Sequence, residues 1–330
     1  MISNLAPIVV FVYNRPWHTE QTLNDLMQND LADQSVLFIY ADGPKENATD
    51  EQIEIIKKVR QIIRNKQWCK EVHIIEAEIN KGLADAIIDG VTKIVNEFGK
   101  VIVLEDDLVT SKYFLRFMND ALHIYESNAG IMQVNGYMFP IKTVGTGSAI
   151  ILPMISSWGW ATWKRAWDLF DPNATGYEDL KINKKLSFEF DLDNSYPNTQ
   201  MLLTQMEENK INSWAIRWWW SVFKAKGLSI FPDHSLVNNI GFGKEATHTI
   251  NENPFINTSW NSEYSIIHLP GKIKIKKKTF QTLKSYLKCI SDAPEISFKS
   301  KFLSALIQVK QKYFFKKSIT QWLKSLLREP

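Results

Sequence analysis

Glu105, Asp106 and Asp107 stand in a row directly after the apolar run Val101–Leu104. Adjacent carboxylates repel one another and resist leaving water, so three of them at the end of a buried strand require a cation nearby. An all-oxygen donor set favours a hard ion, Mn²⁺ or Mg²⁺, and such ions are commonly shared with the phosphates of a substrate. There the ion would act as a Lewis acid toward a departing diphosphate. The competing reading is a solvated acidic turn that caps the next helix. Tyr13-Asn14-Arg15 and Ala41-Asp42-Gly43 are two more polar clusters that close apolar runs. A carboxylate such as Asp42 can accept from an imide N–H, and a guanidinium such as Arg15 can stack on or hydrogen-bond a base. Taken singly, Arg15 reads as a surface ion pair and Asp42 as an ordinary Asp-Gly turn.

These clusters must be positioned by alternating elements. Apolar runs of strand length occur at Ile8–Tyr13, Val36–Tyr40, Val72–Ile75 and Val101–Leu104. Between them, Leu23, Leu26 and Met27 form a first helical stripe, and Ile53, Ile56, Val59 and Ile63 a second, opened by the capping box Thr49-x-x-Gln52. Leu83, Ile87, Val91, Ile94 and Phe98 form a third. Strands alternating with helices predict an α/β fold with a mostly parallel sheet covered on both faces. In such sheets ligands bind beyond the carboxyl ends of the strands, where all three polar clusters fall.

From Pro7 to about His248 the sequence resembles the GT-A glycosyltransferases, most closely the N-acetylglucosaminyltransferase I type and related bacterial family 2-like sugar transferases. The segments that carry the resemblance are VVFVYNRP (Val9–Pro16), LFIYADGP (Leu37–Pro44), VIVLEDDL (Val101–Leu108), SSWGWATWKRAW (Ser156–Trp167) and NNIGFGKEATH (Asn238–His248). The resemblance implies a nucleotide-diphospho-sugar transferase fold, Rossmann-like in its first half. It implies that Asp107 binds the metal directly, that Asp106 and Glu105 contact the ribose or the donor sugar, and that Arg15 and Asp42 contact the base. Tyr13 and Asn14 belong to the same strand-end cluster. Asn80-Lys81-Gly82 resembles a segment lying along the donor, where Lys81 at a helix N-terminus would neutralise a diphosphate; Asn80 reads equally well as the N-cap.

On the acceptor side, Trp158, Trp160, Trp163 and Trp167 fall within ten residues. Indole faces stack on the C–H faces of sugar rings, and the alternative for each is core packing. Trp158-Gly159-Trp160 takes the place of the family's glycine-rich segment beside the donor sugar. In the next helix Trp214 and Trp218 share a face and Trp220 points elsewhere. Arg217 there reads as a phosphate or carboxylate ligand, or as a structural ion pair. Gly241 and Gly243 make NNIGFGKEATH a candidate lid bearing Lys244, and His248 matches a family histidine that ligates metal or diphosphate. Inverting transfer also needs a carboxylate to take the acceptor's proton. The family's Trp-Asp-Asp-Trp segment corresponds to Trp214-Ala215-Ile216-Arg217-Trp218, which holds no acid. Asp179 and Glu207, beside Glu178 and Glu208, are the substitutes nearest in sequence.

The 330 residues are 45% hydrophobic and 23% charged, a folded rather than a disordered composition. From Lys272 to Pro330 there are 15 Lys and Arg against 3 Asp and Glu, which leaves 24 basic and 33 acidic residues elsewhere. An acidic body with a basic tail argues against nucleic acid and for weak attraction of the tail to an anionic membrane surface, with an amphipathic helix expected over Ser297 to Leu327. The alternative is a helix packed on the acidic body. The organisation expected is a catalytic domain over 1–250, divided near 110 into nucleotide and acceptor halves, and a basic helical extension over 251–330. Cys69 and Cys289 match no metal spacing and fit a reducing compartment. With no signal-peptide pattern, a cytoplasmic protein at the inner face of the membrane is expected.

The function expected is therefore metal-dependent, inverting transfer of a sugar from a nucleotide donor, a UDP-sugar. The acceptor would be a glycan or lipid-linked glycan in surface polysaccharide or lipopolysaccharide assembly. A sugar-1-phosphate nucleotidyltransferase is the alternative enzyme, although Asn14-Arg15-Pro16 is not its glycine-rich signature. A non-catalytic glycan-binding protein derived from a transferase is the alternative outside catalysis.

Overall fold

Ile8–Val12 (β1) is buried at all five residues, so both of its faces are covered, as an uninterrupted run of β-branched and aromatic residues requires. A computed structural model of the chain describes residues 4–143, 147–208, 211–242 and 260–292. After β1, Pro16–Met27 (α1) begins with proline at its first position, where the missing N–H costs nothing. Val36–Ala41 (β2) follows, then Asp50–Ile62 (α2), which opens on the complete Thr49/Gln52 capping box. Next come Glu71–Glu76 (β3), Leu83–Phe98 (α3) and Lys100–Glu105 (β4). β1 pairs in parallel with β2 and β4, and β2 with β3. The expected stripe of α3 holds at Ile87, Val91 and Ile94, while Leu83 and Phe98 at its two ends are exposed. Leu83 faces the cleft described below, and Phe98 leans on Phe38 of β2.

Past the acidic triplet the chain leaves the main sheet. Leu108–Thr110 (β5) leads into Phe114–Ile124 (α4), Ile131–Asn135 (β6), Ile150–Leu152 (β7) and Trp160–Trp163 (β8). Four helices follow, Lys164–Trp167 (α5), Asp179–Ile182 (α6), Lys184–Phe190 (α7) and Asn198–Glu208 (α8). Trp214–Lys224 (α9), Leu228–Phe231 (β9) and Val237–Asn239 (β10) complete this half. The eight-stranded sheet has the order β3-β2-β1-β4-β8-β6-β9-β7, and β10 pairs antiparallel with β5 in a separate ribbon. Only β8 and β7 oppose the common strand direction, so the fold is mixed α/β with a mostly parallel sheet. The uncharged stretch from Thr143 to Trp163 contains β7 and β8, and no helix among the described residues is long and apolar enough to cross a membrane.

The last described segment is knit into this body. Lys112 N donates to the Ser262 carbonyl at 2.8 Å, the Tyr125 hydroxyl to the Pro270 carbonyl at 2.8 Å, and Ile151 bridges to Ile275. Lys277–Ser291 (α10) buries Leu283, Leu287 and Ile290. The basic extension expected from residue 251 therefore shares the main core over 260–292. The membrane helix expected over Ser297 to Leu327 lies outside the described residues.

Candidate active site

The β-register brings the three polar clusters together. Phe11 lies opposite Glu105 and Val12 opposite Ala41. Tyr13-Asn14-Arg15, Asp42 and Glu105-Asp106-Asp107 thus leave three adjacent strands at one level, and all of them line a single cleft of about 500 Å³. That volume lies in the range of small-ligand sites. Arg15 is also the residue before α1, and its carbonyl accepts from Thr19 N at 2.9 Å, which fixes its backbone.

Arg15 Nη1 donates to Asp107 Oδ2 at 2.7 Å and lies 3.8 Å from Asp106 Oδ1. Thr22 Oγ1 donates to the Asp106 carbonyl at 2.9 Å, and Ile240 N to the Asp107 carbonyl at 2.9 Å, so the triplet's backbone is tied to α1 and to β10. Burial raises the carboxyl groups of Glu105 and Asp106, their acidic neighbours raise them further, and Arg15 only partly offsets this. Burial works against the Arg15 guanidinium too, but the charges of Asp106 and Asp107 outweigh it and move its pKa up. One guanidinium thus faces three acids, an imbalance that favours a second cation.

Whether the residues suit a metal depends on how many donors converge. Among the described residues no three His, Cys, Asp or Glu side chains are grouped so as to hold an ion. Glu105, Asp106 and Asp107 all line the cleft, and Asp107 Oδ2 is the oxygen held by Arg15. This set fits an ion completed by a substrate's phosphates, the usual mode of Mg²⁺, and not a dedicated protein cage.

Asp42 has a different task from the one expected. Its Oδ1 accepts from the backbone N–H groups of Gly43 at 2.9 Å and Lys81 at 2.8 Å. Its Oδ2 accepts from Asn80 Nδ2 at 2.8 Å and Gly82 N at 3.0 Å. A carboxylate has about four lone-pair positions, and all are taken, so none is left for the imide of a base. Asp42 instead ties the 80–82 loop to the end of β2. Asn80 is accordingly no N-cap; Gly82 holds that position without a side-chain bond. Lys81 does not line the cleft, because its Nζ pairs with Asp89 at 3.0 Å on α3.

The tryptophans divide by depth. Trp158 lines the cleft. Trp160, expected beside it, is 1% exposed and stacks on Trp214 at 4.8 Å between ring centroids, with Trp167 on its other flank at 5.7 Å. A side chain on β8 alternates faces, so neighbours two apart need not share an environment once Gly159 turns the chain. Gly159 has φ 61°, and a Cβ there would meet Val237 Cγ2 at 2.7 Å, so only glycine fits. Trp218 is fully buried and donates to Gln133 Oε1 at 2.6 Å, and Trp220 packs on Phe190 away from both. Trp214 alone of this helix's four tryptophans lines the cleft. Arg217 binds the Ser213 and Pro172 carbonyls and Asn212 Oδ1, and so braces the turn before α9.

The remaining wall is Asn239 at the end of β10, Phe242 just after it, and Ile211, Asn212 and Ser213 before α9. Gly241 lies so close to Asp107 that a Cβ would collide with the carboxylate and sit 3.1 Å from Arg15 Nη1. Its glycine is required by close approach, whatever its part in a hinge. Lys244 and His248 lie outside the described residues. Neither Asp179 nor Glu207 lines the cleft; Glu207 is ion-paired with Lys181, and Asp179 opens α6. Among the described residues the acids on the cleft wall are Asp42, Glu105, Asp106 and Asp107. Lys45, Asn212, Ser213 and Asn239 escaped the sequence reading. Only Ser213 carried a local signal, as the N-cap of a helix, which it is: its side chain accepts from Ile216 N.

No protein-family model matches the sequence, and no curated protein matches it. Among solved structures the chain is similar to TarS of S. aureus, at 18% identity and a TM-score of 0.29 over 46% of this chain and 25% of that one. It is similar to residues 1–349 of S. aureus TarS at 15% identity and 0.31, covering 50% and 48%. It is similar to mouse xyloside xylosyltransferase 1 in its apo form at 11% identity and 0.33, covering 67% and 82%. The chain thus spans a quarter and about half of the two TarS chains. Likenesses at this level assign no function, which has to be read from the cleft itself.

Proposed function

We propose that the chain is a glycosyltransferase of the GT-A type that moves a sugar from a nucleoside-diphosphate donor to a glycan acceptor with inversion. The observation that carries this reading is the Arg15-bridged carboxylate triplet at the carboxyl end of β4, on the floor of a cleft shared with the ends of β1 and β2. Arg15 orients Asp107 and supplies a positive charge beside the place of the diphosphate. Tyr13, Asn14 and Lys45 line the nucleotide side, and Trp158 and Trp214 offer indole faces to the sugars. A divalent ion between Asp107 and the donor phosphates would supply Lewis-acid stabilisation to the departing nucleoside diphosphate. Surface polysaccharide or lipopolysaccharide assembly is the setting we propose for the acceptor.

The test is binding of UDP and UDP-sugars followed by thermal shift, with and without Mn²⁺, for the wild type and Asp107→Asn. A ligand that binds the folded state raises apparent stability by mass action. The expected result is stabilisation of the wild type that needs Mn²⁺ and is lost in the variant. Equal shifts in both proteins, with or without metal, would remove Asp107 from the site. One observation favours a second reading: beyond the triplet and Asp42, no described acid faces the cleft to serve as base. A protein that binds donor with Mn²⁺ and releases no UDP with any acceptor is a binding protein, and release of pyrophosphate from UTP and a sugar 1-phosphate would identify a nucleotidyltransferase.

A further inference from the structure

Trp158 is shared by the cleft and by a second cavity, of about 130 Å³, on its far side. Five aromatic rings line this cavity, from Tyr137, Phe139, Trp158, Tyr196 and Trp219. An apolar cavity of about 150 Å³ holds one benzene-sized molecule, so the space matches a single ring or a short chain end. A bare sugar would need a partner for each hydroxyl, and two of the polar side chains on this mostly apolar wall are engaged elsewhere. Asn198 Nδ2 donates to the Phe190 carbonyl at 2.8 Å, and Ser156 Oγ accepts from Trp158 N at 3.4 Å.

The wall is also held at a conformational cost. Leu192, Asp193 and Asn194 have φ of 54°, 59° and 56°, three successive non-glycine residues in the left-handed region. Such strain persists only where its surroundings enforce it. Here Ser195 N donates to the Asp191 carbonyl at 2.8 Å, and Asp193 is ion-paired with Lys284 of α10. The result is that Leu192, Tyr196 and, from α10, Leu287 all face the cavity. The nucleotide side of the cleft is built from β1, β2, β4 and the start of α3, and the cavity from none of these.

We propose that this cavity is an acceptor subsite that takes one apolar group, a ring or chain end, carried by the sugar acceptor. The proposal rests on the glycosyltransferase reading for the word acceptor; the apolar specificity stands on the cavity alone. The cavity places the apolar group across Trp158 from the carboxylates, with the acceptor's sugar reaching back past that indole.

The test titrates methyl, phenyl and octyl β-D-glucopyranosides into the full chain labelled at its methionine methyls, because Met154 and Met201 line the cavity. Phenyl or octyl glucoside is expected to bind at least about tenfold tighter than methyl glucoside, from the apolar area each buries. The shifted methyl signals are expected to be those of Met154 and Met201. Ala215→Phe and Met201→Phe, which fill the cavity, are expected to abolish the preference while UDP binding stays as in the wild type. Equal affinity for the three glucosides, shifts at other methionines, or a preference that survives both fillings overturns the proposal. Absence of UDP binding in the wild type beside an intact phenyl or octyl preference would sink the transferase reading and leave the apolar site standing.

Discussion

On the β1–β4 side of the cleft every functional side chain sits within four residues of the end of a strand. On the opposite side Trp158, Trp214 and Phe242 come from three separate segments and meet only through packing. The first wall is positioned by the parallel ladder, whose register sets Phe11 beside Glu105 and Val12 beside Ala41. The second is positioned by stacked rings, of which Trp160 is the hub. Charge on the first wall is crowded and undercompensated, whereas the second wall is neutral. The difference teaches that one wall can lose a side chain and keep its shape, while the other cannot.

The largest effect is expected on the packed wall. Trp160→Ala removes a buried indole and should cost about 3–5 kcal/mol, read by denaturant unfolding. If stability holds and only donor or acceptor binding falls, Trp160 touches ligand and the division of the tryptophans by depth is wrong. On the ladder wall, Asp107→Asn should leave the unfolding midpoint nearly unchanged and lower turnover on the order of 10²–10³-fold, the scale of losing one preorganised electrostatic contact. A variant that fails to fold would show that the triplet is structural.

Gly241→Ala sharpens the junction of the two walls. Its methyl must displace Asp107 or lift the strand end, so Mn²⁺-dependent UDP binding should fall while the global melting temperature moves little. Unchanged UDP affinity would mean that Asp107 has room to spare. Asp42→Ala leaves three N–H groups of the 80–82 loop, and that of Gly43, without their acceptor and should cost about 1–3 kcal/mol. Affinities for UDP, CDP and GDP should then weaken by a common factor; loss of discrimination among the bases alone would restore Asp42 to base reading. The smallest effect concerns the thiols. Burial pushes Cys69 up to about 12, and Cys289 is exposed, so a thiol reagent at neutral pH should modify Cys289 and spare Cys69 until the chain unfolds.

The ladder wall was legible in the sequence because short apolar runs and helical stripes report their own ends. Val101–Leu104 points to Glu105-Asp106-Asp107 without any knowledge of the rest of the chain. The capping box at Thr49 is local in the same sense. Trp160 was misread because an indole looks the same in sequence whether it faces a sugar or Trp214. Asp42 was misread for a related reason: its partners in the 80–82 loop lie some 40 residues away, and hydrogen-bond saturation is a property of the folded loop. The apolar cavity has no sequence signature, since its lining is spread from Tyr137 to Leu287.

By itself, then, the sequence determined the alternating α/β order, the strand ends and the crowding of three acids at one of them. These follow from periodicity and covalent adjacency, which act within a few residues. Only the tertiary structure decided that Arg15 neutralises Asp107, that Asp42 is saturated, and that 260–292 belongs to the core. It alone separated the two tryptophans that line the cleft, Trp158 and Trp214, from those that support them. Each of those outcomes depends on which distant groups compete for the same oxygen or the same ring face, and that competition is settled by packing.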